Sequence, residues 1–94
     1  MYARVVRFTG VSPEQISEVA ERVDSEGGPP EGLPAKAMKM MYDESQSTCV
    51  VTVFFETEED MRTGNEFLDK MDAGETPGTR ASVDLCEVKV DVSV

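Results

Sequence analysis

Ninety-four residues amount to one domain, 1–94, and an apolar fraction of 39% with seven glycines is that of a globular chain rather than a disordered one. Nine basic against nineteen acidic residues leave a net charge of −10, which disfavours a nucleic-acid backbone or an anionic membrane as partner. Histidine and tryptophan do not occur, so Ser-His or Cys-His catalysis, His-ligated metals and haem held by a proximal His are excluded.

From Tyr2 to Thr9 the chain alternates, with Tyr2, Arg4, Val6 and Phe8 on one face and Ala3, Val5 and Arg7 on the other, which predicts a first strand. It is entered at once, with no basic stretch and apolar run before it, so no leader is expected and a cytoplasmic location follows. Ser12 is placed to cap a helix, Pro13 suits its first position and Gln15 completes a capping box. Ile16, Val19, Ala20 and Val23 then fall on one stripe. Gly27-Gly28-Pro29-Pro30 stops the helix; it lacks the Gly-Lys-Ser/Thr ending of a phosphate loop.

Ala35–Tyr42 reads as a second strand, 43–47 as a hairpin link, and Thr48–Phe55, dense in valine and phenylalanine, as a third strand. Cys49 to Phe55 is the longest strongly apolar stretch, far short of the roughly 20 residues that span a bilayer. Thr57 caps a second helix whose first turn carries Glu58, Glu59 and Asp60. Met61, Gly64, Phe67, Leu68 and Met71 form its buried stripe, and Gly64 predicts a close approach to the sheet. A Gly/Pro loop over 73–79 leads to a last strand, Ala81–Val94. There the apolar positions change parity near Cys86-Glu87, from Val83 and Leu85 to Val88, Val90, Val92 and Val94. Either a β-bulge lies at that point or the tail faces a different surface.

The order βαββαβ with right-handed crossovers gives an α+β, ferredoxin-like sandwich: a four-stranded antiparallel sheet, spatial order 4-1-3-2, with two helices on one face. The first strand then separates Cys49 from Cys86, so the two are expected as reduced, buried thiols rather than a disulfide. Large apolar groups stand on both faces of the third strand, Val50 and Phe54 against Val51, Val53 and Phe55. Two helices cover one face only, so the other is expected to meet a second copy in a homodimer; the alternative is that Thr48, Thr52, Lys36 and Lys39 make that face wet enough to stand free. The acidic runs Asp43-Glu44 and Glu56–Asp60 lack the spacing of a calcium loop and read as solvated ends; no metal is expected.

The βαββαβ order, the passage Phe54-Phe55-Glu56-Thr57-Glu58-Glu59-Asp60 and a last strand entered through Pro77-Gly78-Thr79-Arg80 resemble the dimeric α/β-barrel superfamily, in particular the antibiotic biosynthesis monooxygenase-like domains. That resemblance implies two sheets packed face to face and a small apolar or aromatic ligand between sheet and helices of each subunit. It further implies, for some members, oxidation of aromatic substrates without metal, flavin or other cofactor. Haem degradation, known in other members, relies on His and Trp, which are absent here. On the oxidative reading Asn65, Tyr42 and Arg4 would be catalytic, orienting the substrate and stabilising its anion. Tyr2, Met38, Met40, Phe54 and Phe67 would bind the ligand, the thioethers suiting a planar guest. The alternative is a non-catalytic binding or assembly module whose interior is filled by side chains. Ordinary structural roles are also open to these residues: Arg4 paired with an acid such as Asp84, Asn65 at the edge of a helix stripe, the tyrosines at core margins.

Overall fold

The computed structural model describes residues 1–27, 31–70 and 78–93. Its elements run β1 (Tyr2–Thr9), α1 (Pro13–Glu26), β2 (Ala37–Asp43), a 3-10 turn (Glu44–Gln46), β3 (Thr48–Phe55), α2 (Glu58–Asp69) and β4 (Thr79–Glu87). All pairings are antiparallel and the strand order is β2-β3-β1-β4, the ferredoxin-like arrangement expected from the element order. Among the described residues no helix is long and apolar enough to cross a membrane.

Local chemistry fixes both helix starts. Ser12 Oγ accepts from the Gln15 amide at 3.2 Å while Gln15 Oε1 accepts from the Ser12 amide at 2.9 Å, a closed capping box. Thr57 Oγ1 accepts from the Asp60 amide at 3.1 Å, and three carboxylates sit at the positive end of α2. Gly27 ends α1 in the left-handed conformation, φ 80°, as glycine readily does.

The register divides the sheet into two faces. Tyr2, Arg4, Val6 and Phe8 of β1 stand beside Phe55, Val53, Val51 and Cys49 of β3, with Met38, Met40 and Tyr42 of β2 and Val83 and Leu85 of β4 in the same rows. This face meets the helices. Val6, Phe8, Val11 and Cys49, joined by Ile16, make one core cluster; Val53, Phe55 and Met61, joined by Tyr2, Leu33, Met38 and Leu68, make another. Fully burying a side chain of this size stabilises by about 1.5–3 kcal/mol, so these few residues dominate a thin core. α2 lies closest to the sheet at Gly64, where an added Cβ would fall 2.4 Å from Phe55 Cε1. The expected close approach is present, and it explains a glycine within a helix. Met71, assigned to the same stripe, lies outside the described residues, as does 73–77 of the expected loop.

Both ends of β2 and of β4 differ from expectation, β2 ending at Asp43 and β4 starting at Thr79, and so does the place of the bulge. β2 begins at Ala37, because Ala35 and Lys36 spend their amides on the Leu33 and Phe54 carbonyls as the chain enters the sheet. The bulge is at Ala81, where the partners step from Arg7↔Ser82 to Phe8↔Arg80, and not at Cys86-Glu87, where the ladder runs unbroken to Tyr2↔Glu87. β4 ends at Glu87, and 88–93 lie outside any strand. Val83 and Leu85 turn toward the helices, Cys86 stands beside Ala3 on the opposite face, and the parity change falls where the strand ends, with Val88 and the valines after it beyond β4. Both cysteines are free, but only Cys49 is buried; Cys86 is exposed on that helix-free face of an edge strand, contrary to the expectation of two buried thiols.

Candidate functional site

Among the described residues Arg4 is the buried charge, 6% exposed, in the middle of β1 and under α2. Its Nε donates to Asn65 Oδ1 at 2.9 Å and its Nη2 to Asp69 Oδ1 at 3.2 Å. The same Asp69 oxygen accepts from Arg80 Nη1 at 2.9 Å, so one carboxylate bridges two guanidinium groups from adjacent strands. Asn65 and Asp69 are four residues apart on α2, one turn, which sets both over β1. Burial draws the Arg4 pKa down from its ordinary value; the charge and hydrogen bond of Asp69 oppose this, and the nearby charge of Arg80 adds to the lowering. Arg4 still carries its proton, because guanidinium does not deprotonate in proteins. The cluster of Arg4, Arg80 and Asp69 thus holds one net positive charge on a strongly acidic protein.

The expected site residues do not converge on one place. Arg4 and Asn65 are in contact, and Tyr2 lies near them in the cluster beneath α2. Tyr42 is elsewhere. It stands in the row of Cys49 and Phe8, four residues along the strand from Arg4 and two strands across, about 16 Å away by strand geometry. Its hydroxyl donates to the Val11 carbonyl at 2.7 Å. The Val11 amide donates to the Ser47 carbonyl at 2.9 Å, so the phenol ties the β1–α1 turn to the β2–β3 hairpin. Desolvation first, then the charges of Glu44 and Glu14, raise the Tyr42 pKa.

The expected ligand-binding set divides likewise. Met38 and Met40 face the helices beside Val53 and Val51. Phe54 stands on the opposite face, with Lys39 Nζ 5.9 Å from its ring centroid. Phe67 is exposed on the outer flank of α2, in an open groove of about 480 Å³ that Thr63, Glu66 and Lys70 also line. Asp69 is the one residue of this cluster that the sequence reading does not single out. Asp69, rather than Asp84, is the acid that holds Arg4; Asp84 is opposite Val5 on the other face. The available signal was the spacing of Asn65 and Asp69, one turn apart on the edge of the apolar stripe. Arg80 joins through the bulge at Ala81, which brings it into the row of Phe8.

Comparison with protein-family models, with curated proteins and with solved structures returned no match for this chain.

Proposed function

We propose that the chain is a homodimeric binding and assembly module rather than an oxidase. The supporting observation is how its two sheet faces differ. On the helix side Gly64 brings the α2 backbone onto the fully buried Phe55 ring. On the other side the register lays out a row Ala37, Phe54, Ala3 and Cys86, with Val5, Val50 and Met41 beyond it, and no helix covers them. Met41 is 53% exposed. An apolar surface of this kind marks a contact, and a second copy related by a two-fold axis is the commonest occupant. A small apolar or aromatic ligand would lie in the open groove beside Phe67.

Sedimentation velocity at low micromolar concentration tests this. The wild type is expected to sediment faster than a monomer, and Phe54→Lys, which places a cation in the middle of the contact, more slowly than the wild type. A monomeric wild type refutes the proposal.

A second reading, cofactor-free oxidation as in monooxygenase-like domains, is favoured by one contact, Arg4 Nε to Asn65 Oδ1 at 2.9 Å, which leaves the Asn65 amide hydrogens to meet a developing oxyanion. Aerobic turnover of anthrone-like phenols that is lost in Asn65→Ala would establish it in place of the first.

A further inference from the structure

We propose that the segment 88–92 pairs antiparallel with the same segment of a second copy, about a two-fold axis through Val90. The inference requires nothing of the sheet-face contact described above. It starts from valines that lack cover: Val90 is 78% and Val92 72% exposed. Such exposure is unusual for the most strand-prone residue type in strict alternation. The segment also begins inside a ladder. The Val88 amide donates to the Met1 carbonyl at 2.9 Å, one step beyond Tyr2↔Glu87, so the chain leaves β4 in register and overhangs the sheet. β4 is an edge strand, which leaves a row of backbone donors and acceptors for another chain.

The sequence selects the partner. Val88-Lys89-Val90-Asp91-Val92 is self-complementary when reversed: Val88 meets Val92 of the partner subunit, Lys89 meets Asp91 of the partner subunit, and Val90 meets its own copy. Each seam then carries two cross-strand pairs of opposite charge on one side and a row of valines on the other. Paired in the pleat of β4, that valine row continues the helix-free face past Cys86, so pairing joins the apolar ends of two sheets. The other edge strand, β2, does not match. Its charges, Lys39 and Asp43, are four residues apart, whereas Lys89 and Asp91 are two apart. No direct register gives both tail charges an opposite partner there. The existing Lys89 Nζ to Glu87 Oε2 contact, 3.2 Å with both groups exposed, is the kind of surface pair that contributes little and yields readily.

Charge reversal tests the seam on the full chain. Lys89→Asp gives a tail with two acids, Asp91→Lys a tail with two bases; either alone opposes like charges across the axis. Each variant is expected to self-associate about tenfold or more weakly than the wild type by sedimentation equilibrium. Mixed together, the two restore opposite pairs, and native mass spectrometry should show the mixed species in preference to either homodimer. Both changes lie in an exposed tail, and circular dichroism checks that the fold is kept. A wild type that stays monomeric, reversals without effect on association, or a mixture that fails to form the mixed species would each overturn the proposal. The last two outcomes leave the sheet-face contact standing, while loss of association in Phe54→Lys with intact tail-dependent mixing separates the two seams the other way.

Discussion

Gly64→Ala separates two opposed effects whose sizes follow from the structure. An exposed helical glycine replaced by alanine gains about 1 kcal/mol in helix propensity. Here the new methyl would sit 2.4 and 2.5 Å from Phe55 Cε1 and Cζ and 3.3 Å from Leu33 Cδ1. Carbon contacts are comfortable at about 3.5–4.0 Å, so ring or helix must retreat by about 1 Å. The ring is fully buried in a cluster with Val53 and Met61 and has little room to do so. Overpacking costs about 1–3 kcal/mol, and a methyl this close to a fully buried ring falls in the upper part of that range, about 2–3 kcal/mol, so a net loss of about 1–2 kcal/mol remains after the propensity gain. For a chain of this size the midpoint of thermal unfolding should fall by about 5–10 °C. Urea unfolding followed by circular dichroism measures the loss. Phe55→Leu shortens the opposing side chain, so in the double variant the Gly64→Ala penalty should shrink by at least about 0.5 kcal/mol. If Gly64→Ala is as stable as the wild type or more so, α2 does not rest its backbone on Phe55, and the position of Asn65 and Asp69 over Arg4 loses its basis.

Three further outcomes follow from the same structure. Asp69→Asn removes the charge that faces a 6% exposed guanidinium; because the carboxylate is itself half exposed, the expected loss is about 1–2 kcal/mol in urea unfolding, and Arg4→Met/Asp69→Asn should recover part of it. Burial raises the Cys49 pKa, whereas Cys86 is exposed, so in dilute native protein at mildly alkaline pH one thiol per chain should react rapidly with a disulfide reagent, and Cys86→Ser should abolish that phase. The Tyr42 pKa is raised in the folded state, so its contribution is complete below the unfolded value of about 10 and is lost as pH rises through the higher folded value. The tyrosinate absorbance of the wild type should therefore show a late phase that coincides with alkaline loss of stability, and Tyr42→Phe should lack that phase.

The sequence carried the architecture because the signals were local. Ser12 with Gln15 and Thr57 with its three carboxylates mark helix starts, and the alternation of 2–9 and 48–55 marks strands that the structure keeps to the residue. Gly64 announced a close contact that is present. What was not legible depended on register. A bulge at Ala81 is invisible in a Thr-Arg-Ala-Ser stretch without apolar alternation, yet it decides that Arg80 shares Asp69 with Arg4. Parity parts Arg4 from Arg7 but does not say which of them turns to α2, so Asp84 on β4 is as good a partner on sequence grounds as Asp69 on the helix, which the structure selects. Tyr42 and Asn65 both looked like polar tips on apolar faces. Their separation follows from the antiparallel pairing of β1 and β3, which sends Phe8 to Cys49 and Tyr2 to Phe55, at opposite ends of the sheet.

Peroxide oxidation of Met41, followed by mass spectrometry of its peptide, tests the covered sheet face most directly. Met41 stands with Val50 and Arg7 in a row remote from the tail, and its thioether is open to solvent in the single chain. A second copy seated on that face makes the oxidation rate fall severalfold as the protein is concentrated from the nanomolar to the micromolar range. A rate that stays constant while concentration rises would contradict it.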